Sequence, residues 1–386
     1  MDDVPAGPAS PEPRRPGLSV VIPVHNGGRD FEHCLRRLRD SYATDFELLV
    51  IDDGSTDGSG TVAEAFGARV IRQETAQGPA AARNAGAKAA SAPIVFFLDA
   101  DVAVHPDTVG KVAARFANDP GLTALFGSYD DCPSSPGLVS QYRNLLHHFV
   151  HQQGEFVDDA RPAKTFWTGC GAIRKSDFID HGGFDPGLYR RPAIEDIELG
   201  YRLTRSGCKI ILARDIQATH MKRWTLRNTI KTDIFQRGVP WMLLIKRSNV
   251  AESDLNVKPS QRLCVALAGL MGMLILAAPF MPLALGFIPL GFAAIMLLNR
   301  DFYAFLSRVR GPFFAVRAVP LHYIYYCCCG LSVVIAMAIW YSPSQRKLAA
   351  DAKARDADTL KPHTGGLAVP PPNERRARKP SKRRQG

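Results

Sequence analysis

The chain has 386 residues, enough for one large domain plus a smaller unit or for two ordinary domains. Its +11 charge includes a net +7 between Lys361 and the C-terminus, so a specific nucleic-acid surface is not needed to explain it, and anionic membrane lipids are the nearer partner for that tail. The eight cysteines show no Cys-x-x-Cys pair and no regular interval, which excludes a disulfide framework or a zinc site as the organising principle.

Residues 1–17 are acidic and then Pro-rich and read as a disordered segment without the apolar core of a secretory signal, so the first ~250 residues are expected in the cytoplasm. From Leu18 strand-like and helix-like patterns alternate. LSVVIPV (18–24) predicts a buried strand, and Phe31, Cys34, Leu35 and Leu38 recur at helical spacing. FELLVID (46–52) and ARVIR (68–72) predict strands, PAAARNAGAKAA (79–90) a helix, and PIVFFLDAD (93–101) a strand ending on acids. Strands joined by single helices imply a Rossmann-like α/β fold with a mostly parallel sheet, whose ligands bind beyond the carboxyl ends of the strands. His25 and Asn26, Asp52 and Asp53, and Asp99 and Asp101 stand at three such ends.

Helices are predicted around 107–118 and 138–150, and 169–186 reads as a glycine-rich loop, a short helix and a turn. A helix starting near Glu195 and a strand at 209–213 follow, then a polar stretch with Trp224, Arg237 and Trp241. Residues 263–299 contain no Lys, Arg, Asp or Glu, and neither do 321–340. Pro279 and Pro282 divide the first run, which predicts about three spans near 263–280, 283–299 and 321–340. The segment 300–320 mixes arginines with Phe302, Phe305, Phe313 and Phe314 and suits a cytoplasmic membrane interface. The domains expected are thus a catalytic unit over 18–250, a membrane region over 263–341 and a disordered basic tail over 342–386.

Carboxylates alternating along a strand end, as in Asp99-Ala100-Asp101, suit a hard divalent ion completed by phosphate oxygens, although a lone Asp-x-Asp is also a common solvated turn. A carboxylate of the Asp52-Asp53 pair is placed to accept hydrogen bonds from a base or ribose, Asp57 to cap the next helix, and Arg83 to reach a phosphate or the base. Glu195-Asp196 offers a general base for removing a proton from an incoming hydroxyl, and equally an acidic first turn of a helix. A nucleotidyltransferase would carry a basic Gly-rich loop after the first strand, where VHNGGRD has only Arg29. A membrane scaffold that had lost its chemistry would not need the acid clusters.

Together VVIPVHN (20–26), VIDDGSTDGS (50–59), GPAAARNAG (78–86), FLDADV (97–102) and the Glu-Asp pair at 195–196 resemble family 2 glycosyltransferases of bacterial membrane-associated type. The resemblance covers Leu18 to about Trp241 and implies a GT-A nucleotide-sugar-binding fold followed by helical spans. It implies an inverting transfer from a nucleotide-sugar, UDP-sugar being the usual donor, to a lipid-linked or envelope-glycan acceptor. It implies Mn²⁺ or Mg²⁺ on Asp99 and Asp101, and His220 of THMKRW resembles a histidine that relatives place near the metal or diphosphate. Pro23, His25, Asn26, Asp53 and Arg83 are then expected around the nucleotide, Gly169 beside the donor sugar, Asp196 as base and Glu195 as its positioning neighbour. Processive relatives carry Gln-x-x-Arg-Trp near the membrane, whereas here Arg237 follows Gln236 directly and Trp241 comes four residues later, which favours addition of one or a few sugars. The expected location is an inner membrane, multi-pass, with the catalytic unit facing the cytoplasm.

Overall fold

The computed structural model describes residues 16–248, 258–343, 345–348 and 350. The N-terminal segment up to residue 15 and the basic tail from 351 lie outside the described residues.

The apolar alternation at the start of the chain sets two cores on the two faces of one sheet. In β1 (Leu18–Val24), Val20, Ile22 and Val24 face α1 (Gly28–Arg39), meeting Phe31, Cys34, Leu35 and Leu38. Val21 faces the other way, onto Ala82 and Ala87 of α3 (Pro79–Ala89). The chain continues through β2 (Glu47–Asp52), α2 (Ser59–Ala65), β3 (Arg69–Arg72), α3 and β4 (Ile94–Leu98). These four strands are parallel in the order β3-β2-β1-β4, as single-helix crossovers require. Val24 pairs with Asp52 and Val21 with Phe97, so the carboxyl ends of β1, β2 and β4 share one edge.

The second half is mixed. After β5 (Val102–Val104), α4 (Thr108–Asn118), β6 (Leu122–Tyr129) and α5 (Leu138–His151) come β7 (Ala160–Pro162), β8 (Cys170–Arg174), α6 (Lys175–Asp180), α7 (Glu195–Arg205) and β9 (Lys209–His220). The sheet extends as β4-β8-β6-β9-β5, with β7 on β9. Strand β8 runs antiparallel to both β4 and β6, while β6 and β9 are parallel. Residues 170–174, which read as part of a glycine-rich loop, are therefore a central strand. Two small residues in a five-residue run carry no alternation, and only insertion between β4 and β6 makes them a strand.

The stretch before the apolar runs is helical rather than merely polar: α8 (Leu226–Lys231), a π-helix (Thr232–Gly238) and α9 (Val239–Ser248). Beyond it lie α10 (Pro259–Ala277), a 3₁₀ turn (Pro282–Phe287), α11 (Ile288–Leu298), α12 (Arg300–Arg310) and α13 (Pro312–Trp340). Among the described residues α10 and α13 are long and apolar enough to cross a membrane, or three spans are reached if the pair bent by 75° between α11 and α12 counts as one. The span read at 283–299 corresponds to the 3₁₀ turn and α11 together, Pro282–Leu298, and reaches spanning length only with α12 across the bend. The aromatic face of α12 is also placed differently from the interfacial reading. Phe302, Tyr303, Phe305 and Leu306 pack on Tyr142, Leu145 and Leu146 of α5, and Arg310 donates to Gln141 Oε1 at 2.8 Å. Phe313 remains exposed.

Candidate active site

Three loops at the shared strand edge are tied to each other by acidic and amide side chains. Asp53, following β2, accepts from the backbone N–H groups of Gln77 (2.7 Å) and Gly78 (2.9 Å), which lead into α3. Its own carbonyl oxygen lies 2.7 Å from His25 Nδ1. Asn26 Oδ1 accepts from the Thr56 N–H at 2.8 Å, a contact Asn26 reaches with a φ of 53°. Asp57 does what a cap does, accepting from Ser59 N–H and Oγ, and also accepts from the N–H of Gly28. Asp53 is buried, so its two backbone contacts satisfy a carboxylate that would otherwise be costly there.

The next cluster is ionic. Arg83 projects from α3 with only 6% of its side chain exposed and bridges two carboxylates, Glu195 Oε1 at 2.8 Å and Asp99 Oδ1 at 2.6 Å. The guanidinium thereby joins the end of β4 to the start of α7, two points distant in sequence. Glu195 also accepts from the N–H of Ala193. Among the described residues Asp196, the next residue, is held by neutral donors: Thr168 N–H (3.1 Å), Thr168 Oγ1 (3.3 Å) and the N–H of Ile197 (2.8 Å). Burial pushes its carboxyl up, the Glu195 charge adds to this, and the Thr168 hydrogen bond and Arg83 oppose, leaving it at about 6.

Asp101 and His220 come together through the sheet, because β5 pairs with β9 in a register that sets Val102 opposite His220. His220 Nε2 lies 3.6 Å from Asp101 Oδ2, and its Nδ1 lies 2.6 Å from Asn144 Oδ1. Burial pushes Asp101 up, but the His220 ring and Lys222 outweigh it and hold the carboxyl at about 2. Tyr129 stacks on the His220 ring at 4.3 Å with planes 5° apart, and Trp167 meets Tyr129 edge-on. Gly169 lies beneath this wall: a Cβ there would sit 2.3 Å from the Trp167 ring, and its carbonyl accepts from the N–H of Asp99 at 3.4 Å.

A cavity of about 1190 Å³ is lined by Pro23, His25, Asn26, Asp53, Arg83, Asp99, Asp101, Glu195, Asp196 and His220. Gly169 is the one predicted site residue outside its lining and acts from behind Trp167. Asp99 is engaged with Arg83, and no group of three His, Cys, Asp or Glu residues converges on one point among the described residues. Asp101 and His220 form a two-donor set. That set fits Mg²⁺ or Mn²⁺, which are bound through few protein groups when phosphate oxygens complete the coordination.

The model of the family described as "Glycosyl transferase family 2" matches residues 19–182. The uncharacterized protein MT1568 of Mycobacterium tuberculosis (strain CDC 1551 / Oshkosh) is 30% identical over 254 residues, covering 61% of this chain and 78% of that protein. The chain belongs to glycosyl transferase family 2. Validoxylamine A glucosyltransferase of Streptomyces hygroscopicus subsp. jinggangensis (strain 5008) is 33% identical to this family 2 member over 241 residues, covering 53% of this chain. The chain spans little more than half, 56%, of the length of that relative. The solved structure of the mannosyltransferase PcManGT from Pyrobaculum calidifontis, in complex with GDP-Man and Mn²⁺, overlaps 90% of this chain and 86% of its own at a TM-score of 0.46 and 15% identity.

Several residues of this family 2 chain line the cavity without having been singled out in the sequence. Arg143, His147 and His151 stand at intervals of four on α5 and turn one polar face to it, a spacing that was legible. Arg143 pairs with Asp233 of the π-helix, and both are buried. Burial and the neighbouring His151 push His147 well below the usual imidazole range, so it stays neutral against Trp167. Lys222 reaches over the Trp224 ring.

Proposed function

We propose that this protein is a metal-dependent, inverting glycosyltransferase that moves a sugar from a nucleotide-sugar, UDP-sugar by preference, to an oxygen of a lipid-linked or envelope-glycan acceptor, adding one or a few sugars. The observation that carries the reading is the setting of Asp196, a cavity carboxylate with no ion-pair partner among the described residues. Asp99 and Glu195 are paired with Arg83, Asp233 with Arg143, and Asp101 faces His220. Asp53 and Asp196 are both held by neutral donors, Asp53 by the amides that lead into α3 and Asp196 beside Glu195, whose charge together with burial raises its carboxyl to about 6. A carboxylate titrating at about 6 accepts a proton from a hydroxyl near neutral pH more readily than one of ordinary acidity.

Asp101 and His220 would hold Mn²⁺ or Mg²⁺, with Asp99 beside them. When bound, the ion supplies a Lewis acid for the diphosphate leaving group. Asp196 takes the proton of the acceptor hydroxyl as its oxygen bonds to the anomeric carbon, and the bond from that carbon to the diphosphate oxygen breaks, releasing a nucleoside diphosphate. Asp196 acting as the single base suits a single displacement with inversion. Arg83 fixes Glu195 and Asp99 in place, and the contacts of Asp53 keep the loop before α3 positioned for the nucleotide. The glucosyltransferase that is 33% identical over 241 residues supports glycosyl transfer as the reaction class.

The test is acceptor-dependent release of nucleoside diphosphate by the full chain with and without Mn²⁺, across UDP-, GDP- and dTDP-sugars and with membrane lipid extract supplied. Metal-dependent release with a mass gain on a lipid or glycan is expected. No release with any of these donors would overturn the reading. Two helices of spanning length support association with a membrane, and the side proposed for the catalytic unit is the cytoplasmic side of an inner membrane. A tag before Leu18 that reacts with an impermeant thiol label in sealed cells would refute that side.

A further inference from the structure

The cavity that holds Asp101 and Asp196 does not end at the sheet. Its far wall is built by the two helices of spanning length and by α9, with Val265 of α10, Tyr326, Cys329, Gly330 and Val333 of α13, and Met242 of α9. At the junction stands Arg237, in the π-helix. This turn is pressed onto α13: a Cβ on Gly238 would sit 2.2 Å from Ser332 Oγ. The wide turn therefore fixes the Arg237 backbone against the helical wall, and π-helical turns recur at functional sites.

The guanidinium of Arg237 is out of keeping with its neighbours. Arg83 and Arg143 each have a carboxylate in contact, but Arg237 lines the cavity with no hydrogen bond or ion pair to any described residue. Burial pushes its pKa down and Arg143 repels it, while the Asp233 charge opposes from beyond contact distance. A partly buried cation without a partner is costly unless an anion joins it. The helical side of the cavity presents Val265, Cys329, Gly330 and Val333 beside the polar Gln261, Arg262 and Ser332, so an anion carrying an apolar chain suits it, whereas a free phosphate leaves the apolar part of that wall in contact with water.

We infer that this lobe binds the acceptor as a phosphate-bearing membrane lipid, with Arg237 on the phosphate and the chain lying between α10 and α13. The inference rests on the glycosyl-transfer reading and makes the acceptor an anionic lipid rather than a soluble glycan. Lipid, phosphate and helical wall are then matched: a charge-assisted contact fixes the headgroup, and the apolar chain fixes the direction from which it approaches Asp196.

Binding to the full chain in detergent micelles tests it, using a fluorescent long-chain isoprenyl phosphate, the matching isoprenol, inorganic phosphate and a nucleoside diphosphate as probes. The isoprenyl phosphate is expected to bind at least about tenfold tighter than the isoprenol, Arg237→Gln to remove that advantage, and Arg237→Lys to restore part of it. A Cβ on Gly330 meets only Val265, at 3.6 Å, so Gly330→Leu fills the groove without a backbone clash and is expected to weaken both lipids alike. Inorganic phosphate competing as well as the lipid phosphate would overturn the inference. So would Arg237→Gln weakening the nucleoside diphosphate as much as the lipid, which would move Arg237 to the donor. Nucleotide-sugar binding without lipid-phosphate binding would sink the lobe and leave the transferase. The opposite pattern would sink the transferase and leave a lipid-phosphate site.

Discussion

The loop cluster at the ends of β1 and β2 and the ionic cluster around Arg83 are built from the same residue types and behave differently. In the first, Asp53, Asp57 and Asn26 direct their oxygens at backbone N–H groups, and each carboxylate is neutralised by peptide dipoles that belong to the fold. In the second, Asp99, Glu195 and Asp101 face charged or titratable side chains along a cavity, and Asp196 beside them is held by neutral donors. An acid bonded to backbone amides sets the position of a loop. An acid bonded to a side chain that can move, or to too few donors, stays available to ligands. The chemistry therefore belongs with the second cluster and the geometry with the first.

The largest effect that separates the two is Asp196→Asn, which is expected to lower turnover about a thousandfold while donor affinity stays within a factor of about two. Steady-state rates set beside nucleotide-sugar titration decide this, and a parallel fall in donor affinity would move Asp196 into the binding class. Next is Asp101→Asn, expected to cost about a hundredfold in turnover and to abolish the dependence of donor binding on Mn²⁺. Unchanged metal dependence in calorimetry would remove Asp101 from the metal site.

A smaller effect tests how the ionic cluster sets acidity. Asp196 must be ionised to accept a proton, so transfer is expected to fall as pH drops below about 6. The Glu195 charge raises that value, so Glu195→Gln should move the acid limb of the rate profile to lower pH, at about 1–3 kcal/mol in stability for the weakened contact to Arg83. An acid limb that stays in place, read with buffers at constant ionic strength, would break the link between the two residues. The smallest effect lies in the loop cluster. Asp53→Asn replaces an ionised acceptor of two amides, for a loss of about 1 kcal/mol in thermal unfolding, a few-fold higher donor KM and an unchanged kcat. A kcat loss comparable with that of Asp196→Asn would erase the distinction between the regions.

Much of the first half was legible because its signals are local. Buried parallel strands read as short apolar runs, and single helices between them leave one topology, so the place of Asp52, Asp53, Asp99 and Asp101 at one edge is legible in the sequence. The start of α7 at Glu195 was equally plain. Strand β8 was not, since Cys170-Gly171 gives no periodicity and its partners β4 and β6 enclose it from far along the chain. The membrane half was legible as composition but not as helices. Absence of charge marks an apolar environment without showing where Pro282 and the bend after Leu298 break the run.

By itself the sequence determined a Rossmann-like sheet, the strand ends that carry acids, the start of α7 and two stretches able to enter a bilayer. These follow from periodicity and charge exclusion over a few neighbouring residues. Only the tertiary structure decided which acid is paired and which is not. Arg83 meets Glu195 across 112 residues, His220 meets Asn144 across 76, and Arg310 meets Gln141 across 169. Whether a carboxylate is a strut or a base depends on what packs against it once the chain has closed, because its pKa is set by burial and by charges within a few ångströms, and burial is not encoded by the residues on either side of it.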